Sequence, residues 1–149
     1  MVVIEEALLK DIDALCKLLK ILFSQEVEFC FDAVKQKKGL EMIINNPQVG
    51  RIYLLKEKGI VVGMVSLLFS VSTALGEKVA WLEDMVIAPE YRHKGYGKML
   101  LEHAISQANL FTCKRLTLLR DADNQEAEAF YTRAGFENST MMPMRLSIL

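Results

Sequence analysis

Val86-Ile87-Ala88-Pro89-Glu90-Tyr91-Arg92-His93-Lys94-Gly95-Tyr96-Gly97-Lys98-Met99-Leu100-Leu101 is the stretch on which the fold turns. An apolar strand end is closed by Pro89 and followed by two glycines. From about Gly95 to Asn109, Tyr96, Met99, Leu100, His103 and Ala104 recur at helical spacing. A strand thus runs through a tight turn into a helix. The first N–H groups of a helix have no internal acceptor, and the aligned peptide dipoles add about half a positive charge there. Gly95 and Gly97 remove side chains where a ligand must approach the backbone. Arg92, Lys94 and Lys98 supply three cations, with no acid from Tyr91 to Leu101. This combination suits a pyrophosphate. Taken alone it also fits a tight turn with solvated basic side chains. The spacing is neither that of a P-loop nor that of the dinucleotide-binding fingerprint.

Outward from this stretch the chain alternates between strand and helix patterns. Strands are predicted over Val2–Glu5, Arg51–Lys56, Ile60–Val71, Lys78–Ile87 and Arg115–Leu119, and two more over Phe136–Ser139 and Met142–Ile148. Helices are predicted over Lys10–Gln25, Phe31–Asn45, Gly95–Asn109 and Asn124–Ala134. Glu57-Lys58-Gly59 joins two strands as a hairpin, and Gly135 stands where a helix-ending glycine belongs. Continuous apolar character around Leu82 and Met85–Ile87 predicts a strand buried on both faces. The order implies an α/β (α+β) fold over residues 1–149 as one domain. Its sheet would be mixed and mainly antiparallel, with about seven strands and four flanking helices.

Composition narrows the classes. Of 149 residues, 52% are apolar and 25% charged, ordinary values for a globular domain. The net charge of −1 argues against nucleic-acid binding through bulk positive charge. The longest apolar run, Ile60–Phe69, is about half the roughly 20 residues a membrane helix needs. The opening Met1-Val2-Val3-Ile4-Glu5-Glu6 does not resemble a signal peptide. Cys16, Cys30 and Cys113 match no zinc spacing, so no metal is expected. Reduced cysteines and the lack of a membrane segment predict a cytoplasmic protein.

The stretch from Val86 to Leu101 resembles the acyl-CoA-binding motif of the GNAT superfamily of N-acetyltransferases. Asn124-x-x-Ala127-x-x-Phe130-Tyr131-x-x-x-Gly135-Phe136 resembles that family's second signature, and the two stand in the family's order. The resemblance implies the acyl-CoA N-acyltransferase fold, with acetyl-CoA as cosubstrate. It implies that pantetheine lies along the backbone of Met85, Val86 and Ile87. The pyrophosphate would be held by Arg92, His93, Lys94, Gly95, Tyr96, Gly97 and Lys98. Asn124 is a good helix cap and, in the family reading, also faces the cofactor. Ala127 lies in the same signature, and Phe130 is assigned to packing against cofactor or core. His93 replaces a glycine often seen there and is expected to be an exposed loop residue.

Transfer of an acetyl group to an amine needs two proton movements. The leaving thiolate must gain a proton, and a phenol with a pKa near 10 can supply it. The resemblance assigns this to Tyr131, which also fits a core aromatic. The attacking amine must lose a proton; holding it neutral at pH 7 costs about 4 kcal/mol. Glu83 is in register with the position where several family members carry a base, and a structural or substrate-contact role is the other reading. Asp84, on the opposite face if the strand alternates, is the weaker alternate. The acidic and aromatic segment Ser24-Gln25-Glu26-Val27-Glu28-Phe29, with Phe31 and Asp32, could hold a cationic amine or simply connect helices. Cys113 as an acyl carrier is disfavoured, because the family generally uses direct attack. His103 is expected on a helix face.

The expected activity is acetyl transfer to a primary amine, small-molecule or protein, in a ternary complex. The alternatives are a CoA-binding module without efficient transfer, or an enzyme using another acyl-CoA. The apolar final strand leaves a homodimer open.

Overall fold

The computed structural model describes residues 1–26 and 29–148. Five strands form one sheet in the order β1-β2-β3-β4-β5: β1 (Val2–Glu6), β2 (Gly50–Glu57), β3 (Ile60–Ser72), β4 (Glu77–Ile87) and β5 (Leu116–Thr117). Helices α1 (Ile12–Gln25) and α2 (Ala33–Ile44) lie between β1 and β2 in the chain, and α3 (Tyr96–Leu110) lies between β4 and β5. These elements make up one unit, Met1–Leu119; α4 (Gln125–Arg133) belongs to a second, Arg120–Leu149. The fold is of the mixed α/β class that the sequence pattern predicts.

The first four strands pair antiparallel, and β5 joins β4 in parallel. The β2–β3 turn is made by Lys58 and Gly59 at φ of 50° and 79°. Positive φ at both positions matches the right-handed twist of the strands it joins. Side chains alternate across the sheet and bury on both sides. Ile52, Leu54, Met64 and Val86 pack with Ile12, Leu15, Leu19 and Leu40 of α1 and α2. Tyr53, Leu55, Val65 and Leu67, one residue out of phase, are equally buried. On that side α3 contributes Leu100, Leu101 and Ala104, and its His103 ring meets Tyr53 edge-on at 4.9 Å. Met99, expected on this inner side, is instead largely exposed.

Three expectations need correction. No strand forms over Phe136–Ser139 or Met142–Ile148 among the described residues, so the sheet has five strands rather than about seven. Apolar alternation marks a segment able to pair, but a strand exists only beside a neighbour that accepts its ladder. The predicted Arg115–Leu119 strand shrinks to two paired residues for the same reason. Finally, β4 is not buried on both faces: Val79, Ala80, Leu82 and Val86 are buried, while Trp81 and Glu83 are exposed. With β5 so short, most of the outer edge of β4 has no paired strand among the described residues.

Candidate functional site

The end of β4 is irregular in a specific way. Ser66 pairs with Glu83 and Met64 with Val86, so Val65 alone opposes both Asp84 and Met85. This is a β-bulge, with Asp84 in the left-handed region at φ 52°. Simple alternation therefore does not carry through Glu83 and Asp84. Glu83 is exposed, while Asp84 is half-buried. Burial, with the negative charges of Glu83 and then Glu26, pushes the Asp84 carboxyl up to about 7. Ser66, directly across from Glu83, is fully buried, and its Oγ has no hydrogen-bond partner among the described residues. β5 meets β4 only at Ala80↔Leu116 and Trp81↔Thr117. Beyond Trp81 no strand pairs that edge of β4 among the described residues, so its backbone groups must find other partners.

Past Ile87, Pro89–Tyr91 makes a short 3₁₀ turn and the chain enters the loop before α3. His93 and Gly95 both take positive φ, 65° and 81°. His93 is exposed, as expected, and its conformation explains why glycine suits that position. The first bond of α3 runs from Met99 N–H to Gly95 C=O at 3.1 Å. The N–H groups of Tyr96, Gly97 and Lys98 therefore have no intrahelical acceptor. A side chain at Gly95 would meet nothing within 4 Å, but it would have to adopt the left-handed conformation. Gly95→Ala is expected to cost about 1 kcal/mol of stability. A urea denaturation should show a lower midpoint at unchanged slope.

The basic side chains of the loop are held in place. Arg92 Nε donates to the Ile87 carbonyl at 2.8 Å, tying the loop to the end of β4. Lys94 lies 3.5 Å from Glu57 and over the rings of Tyr91 and Tyr96, at 5.2 and 5.9 Å. The Tyr96 hydroxyl donates to the same Glu57 carboxylate. That hydrogen bond, with Lys94 behind it, keeps the Glu57 carboxyl below its usual range. Glu57 was not legible as a site residue, because the β2–β3 hairpin brings it to the loop from 39 residues away. Lys98, by contrast, is largely exposed, with Glu102 at 3.9 Å one turn further along α3.

In the second unit Asn124 caps α4, its side chain accepting from Ala127 N–H at 3.0 Å. Gly135 follows the helix at φ 104°, as its C′ position requires. Tyr131 stands between Phe130 and Phe136, with ring centroids 5.1 and 5.6 Å away. Burial pushes its phenol up to about 12. Arg120 and Asn138 both bind Glu128, at 3.0 and 3.1 Å, and so brace the helix.

Other candidates resolve differently. Asp32 caps α2, accepting from Val34 and Lys35 N–H, and the rings of Phe23 and Phe29 lie 5.7 Å apart at a tilt of 41°. Val27 and Glu28 of that acidic segment lie outside the described residues. Burial pushes the Cys113 thiol up, away from a reactive thiolate. His103 is half-buried and its pKa is lowered by that burial.

Residues 13–136 match the model of the acetyltransferase (GNAT) family. The chain belongs to the acetyltransferase (GNAT) family. Among GNAT relatives it is 29% identical over 124 residues to YhfO of Bacillus subtilis (strain 168), an uncharacterised N-acetyltransferase, covering 80% of this chain and 81% of YhfO. The structure of "a possible acetyltransferase from Clostridium difficile 630" superposes with a TM-score of 0.90 at 17% identity, over 100% of this chain and 99% of that one. A "predicted acetyltransferase with acetyl-CoA" from Clostridium acetobutylicum superposes with a TM-score of 0.80 at 16% identity, over 99% and 96%. At these identities the two structures speak for the GNAT fold. With the family established, the protein is an acetyltransferase enzyme.

Proposed function

We propose that the protein moves the acetyl group of acetyl-CoA to a primary amine by direct attack within a ternary complex. The loop from Arg92 to Lys98 carries the reading: two residues at positive φ, free N–H groups at the start of α3, and three cations with no acid among them. Such a row of backbone donors suits the diphosphate of CoA. His93, Lys94, Gly95, Tyr96, Gly97 and Lys98 offer backbone donors, and Arg92 adds a guanidinium already aligned by Ile87. The unpaired edge of β4 at Met85, Val86 and Ile87 suits the amides of pantetheine. Acetyl-CoA is present in the structure of the Clostridium acetobutylicum relative.

The proton from the amine goes to the Glu83–Asp84 pair. Asp84 is the better suited of the two, because a base near pKa 7 matches the working pH. Glu83 then serves as the charge that keeps Asp84 basic, with Glu83 itself as the alternative acceptor. Tyr131 gives its proton to the departing thiolate, Phe130 packs beside it, and Asn124 and Ala127 belong to the cofactor side by family resemblance. No step calls for a metal. The acceptor is a small-molecule or protein amine, and a cytoplasmic location suits a supply of acetyl-CoA.

A screen for thiol release from acetyl-CoA across polyamines, amino sugars, amino acids and lysine peptides tests this reading, with mass spectrometry on each hit. One acetyl group per released thiol is the expected result. CoA binding without release across the whole panel would instead favour a binding module.

A further inference from the structure

We propose that Glu57 is a positioning residue for the CoA diphosphate. Through Tyr96 and Lys94 its carboxylate fixes the start of α3 against the sheet and leaves the N–H groups there open to the ligand. This role rests on the reading of Arg92–Lys98 as the diphosphate loop. That loop has little to hold it locally. His93 and Gly95 sit at positive φ and Gly97 follows, so the backbone is permissive on both sides of the helix start. The N-cap of α3 is Gly95, and no side chain bonds the helix N–H groups from that position. A serine or aspartate cap would stiffen the turn, but its oxygen would occupy N–H groups that the ligand needs.

The anchor is tertiary instead. Tyr96, the first residue of α3, is 9% exposed, and its hydroxyl donates to Glu57 Oε1. Lys94 Nζ lies 3.5 Å from the same oxygen and over the rings of Tyr91 and Tyr96. The residues on either side of Gly95 thus converge on one carboxylate. Glu57 is itself firmly placed. It pairs with Val2 of β1 and Ile60 of β3, and the next N–H, that of Lys58, donates to the Met1 carbonyl at 3.1 Å. The Tyr96 bond moves the two partners apart in acidity, Glu57 below its usual range and Tyr96 above. The carboxylate therefore stays charged, and the phenol protonated, at neutral pH.

The sign of the charge separates this role from plain electrostatics. A carboxylate near a diphosphate repels it, so removing Glu57 should tighten binding if charge alone matters. If the carboxylate holds the loop, removing it should weaken binding, because only the fraction of protein with the loop in place is competent. Lys94 offsets the negative charge of Glu57, which limits the repulsion while the anchor is kept.

Calorimetric titration of the full chain with CoA tests the proposal, together with amide exchange in the absence of ligand. Glu57→Ala should raise the CoA dissociation constant about tenfold, the worth of one hydrogen bond to a charged group. Tyr96→Phe should cost about as much, and the double variant no more than either alone. Glu57→Gln keeps an acceptor for the Tyr96 hydroxyl and should recover most of the loss. In acetyl transfer the Glu57→Ala loss should fall on KM for acetyl-CoA rather than on kcat. Without ligand, the Met99 and Leu100 N–H groups should exchange faster in Glu57→Ala, while those from Ala104 onward keep wild-type rates. Glu57→Ala binding CoA as well as the wild type, or tighter, overturns the proposal, as do additive losses in the double variant. A wild type that binds no CoA overturns the acetyl-transfer reading, and this role with it. Binding in the wild type with unchanged exchange in Glu57→Ala overturns the role of Glu57 alone. If Glu57→Ala does not fold, Tyr96→Phe decides, and a wild-type dissociation constant there overturns the proposal.

Discussion

Tyr131→Phe should lower the turnover number by about a hundredfold, the smaller end of what a positioned acid contributes. The dissociation constant for acetyl-CoA should stay within about twofold of the wild-type value, because only the hydroxyl is lost. The ring keeps its place between Phe130 and Phe136. Burial pushes the Tyr131 phenol up to about 12, so it holds its proton across the usable range. No alkaline fall in rate from Tyr131 is expected below about pH 11. The same burial makes it a weaker acid than a free phenol by about 3 kcal/mol. A thiolate leaving into equally dry surroundings is raised in the same direction, which narrows the gap. An aryl thioester, whose thiolate departs without needing a proton, should lose much less in the variant. Unchanged turnover with acetyl-CoA would remove Tyr131 from the chemistry.

Asp84→Asn should act on two observables. The rise in kcat/KM centred near pH 7 disappears, and the residual rate then climbs with the fraction of neutral amine in solution. Stability changes in the opposite sense. An unfolded aspartate titrates near 3.8, whereas burial and the Glu83 charge hold the folded Asp84 up at about 7. Between those values the folded protein keeps a proton that the unfolded chain has lost. The unfolding free energy therefore falls as pH rises from about 4 to about 8, by at most about 4 kcal/mol. In the Asn variant this dependence is gone, so the variant gains on the wild type at pH 8 and not at pH 4. Urea denaturation at the two pH values measures it; parallel wild-type and variant curves would sink the idea. Glu83→Gln separates the two carboxylates. If Asp84 is the base, losing its negative neighbour moves the acid limb to lower pH with turnover retained. If Glu83 takes the proton, turnover collapses.

Much of the larger unit was legible in the sequence because its signals are local. Val86-Ile87 before Pro89 marks the strand end, and Gly95 marks the left-handed residue before α3. Lys58-Gly59 marks the hairpin, and in the smaller unit Asn124 marks its own capping bond. The features that escaped depend on partners. The bulge at Asp84 is a count of residues against β3, visible only once Ser66↔Glu83 and Met64↔Val86 are paired. Glu57 reaches Lys94 and Tyr96 through the hairpin, and no local pattern announces that. The two final strands failed for the converse reason: Met142–Ile148 has the pattern, but no ladder partner is supplied among the described residues.

The uneven pairing of the sheet also has a consequence for how the chain folds. β2, β3 and β4 are joined by short turns, so their ladders close early and cheaply. β5 must wait for α3, and only two residue pairs then reward its arrival. Leu116–Leu119 is therefore the last part of the sheet to be paired. During synthesis it is the stretch of the sheet most open to mispairing with another nascent chain. Slower synthesis at lower temperature should favour soluble protein, and a charge introduced at Leu119 would change yield before it changed the fold.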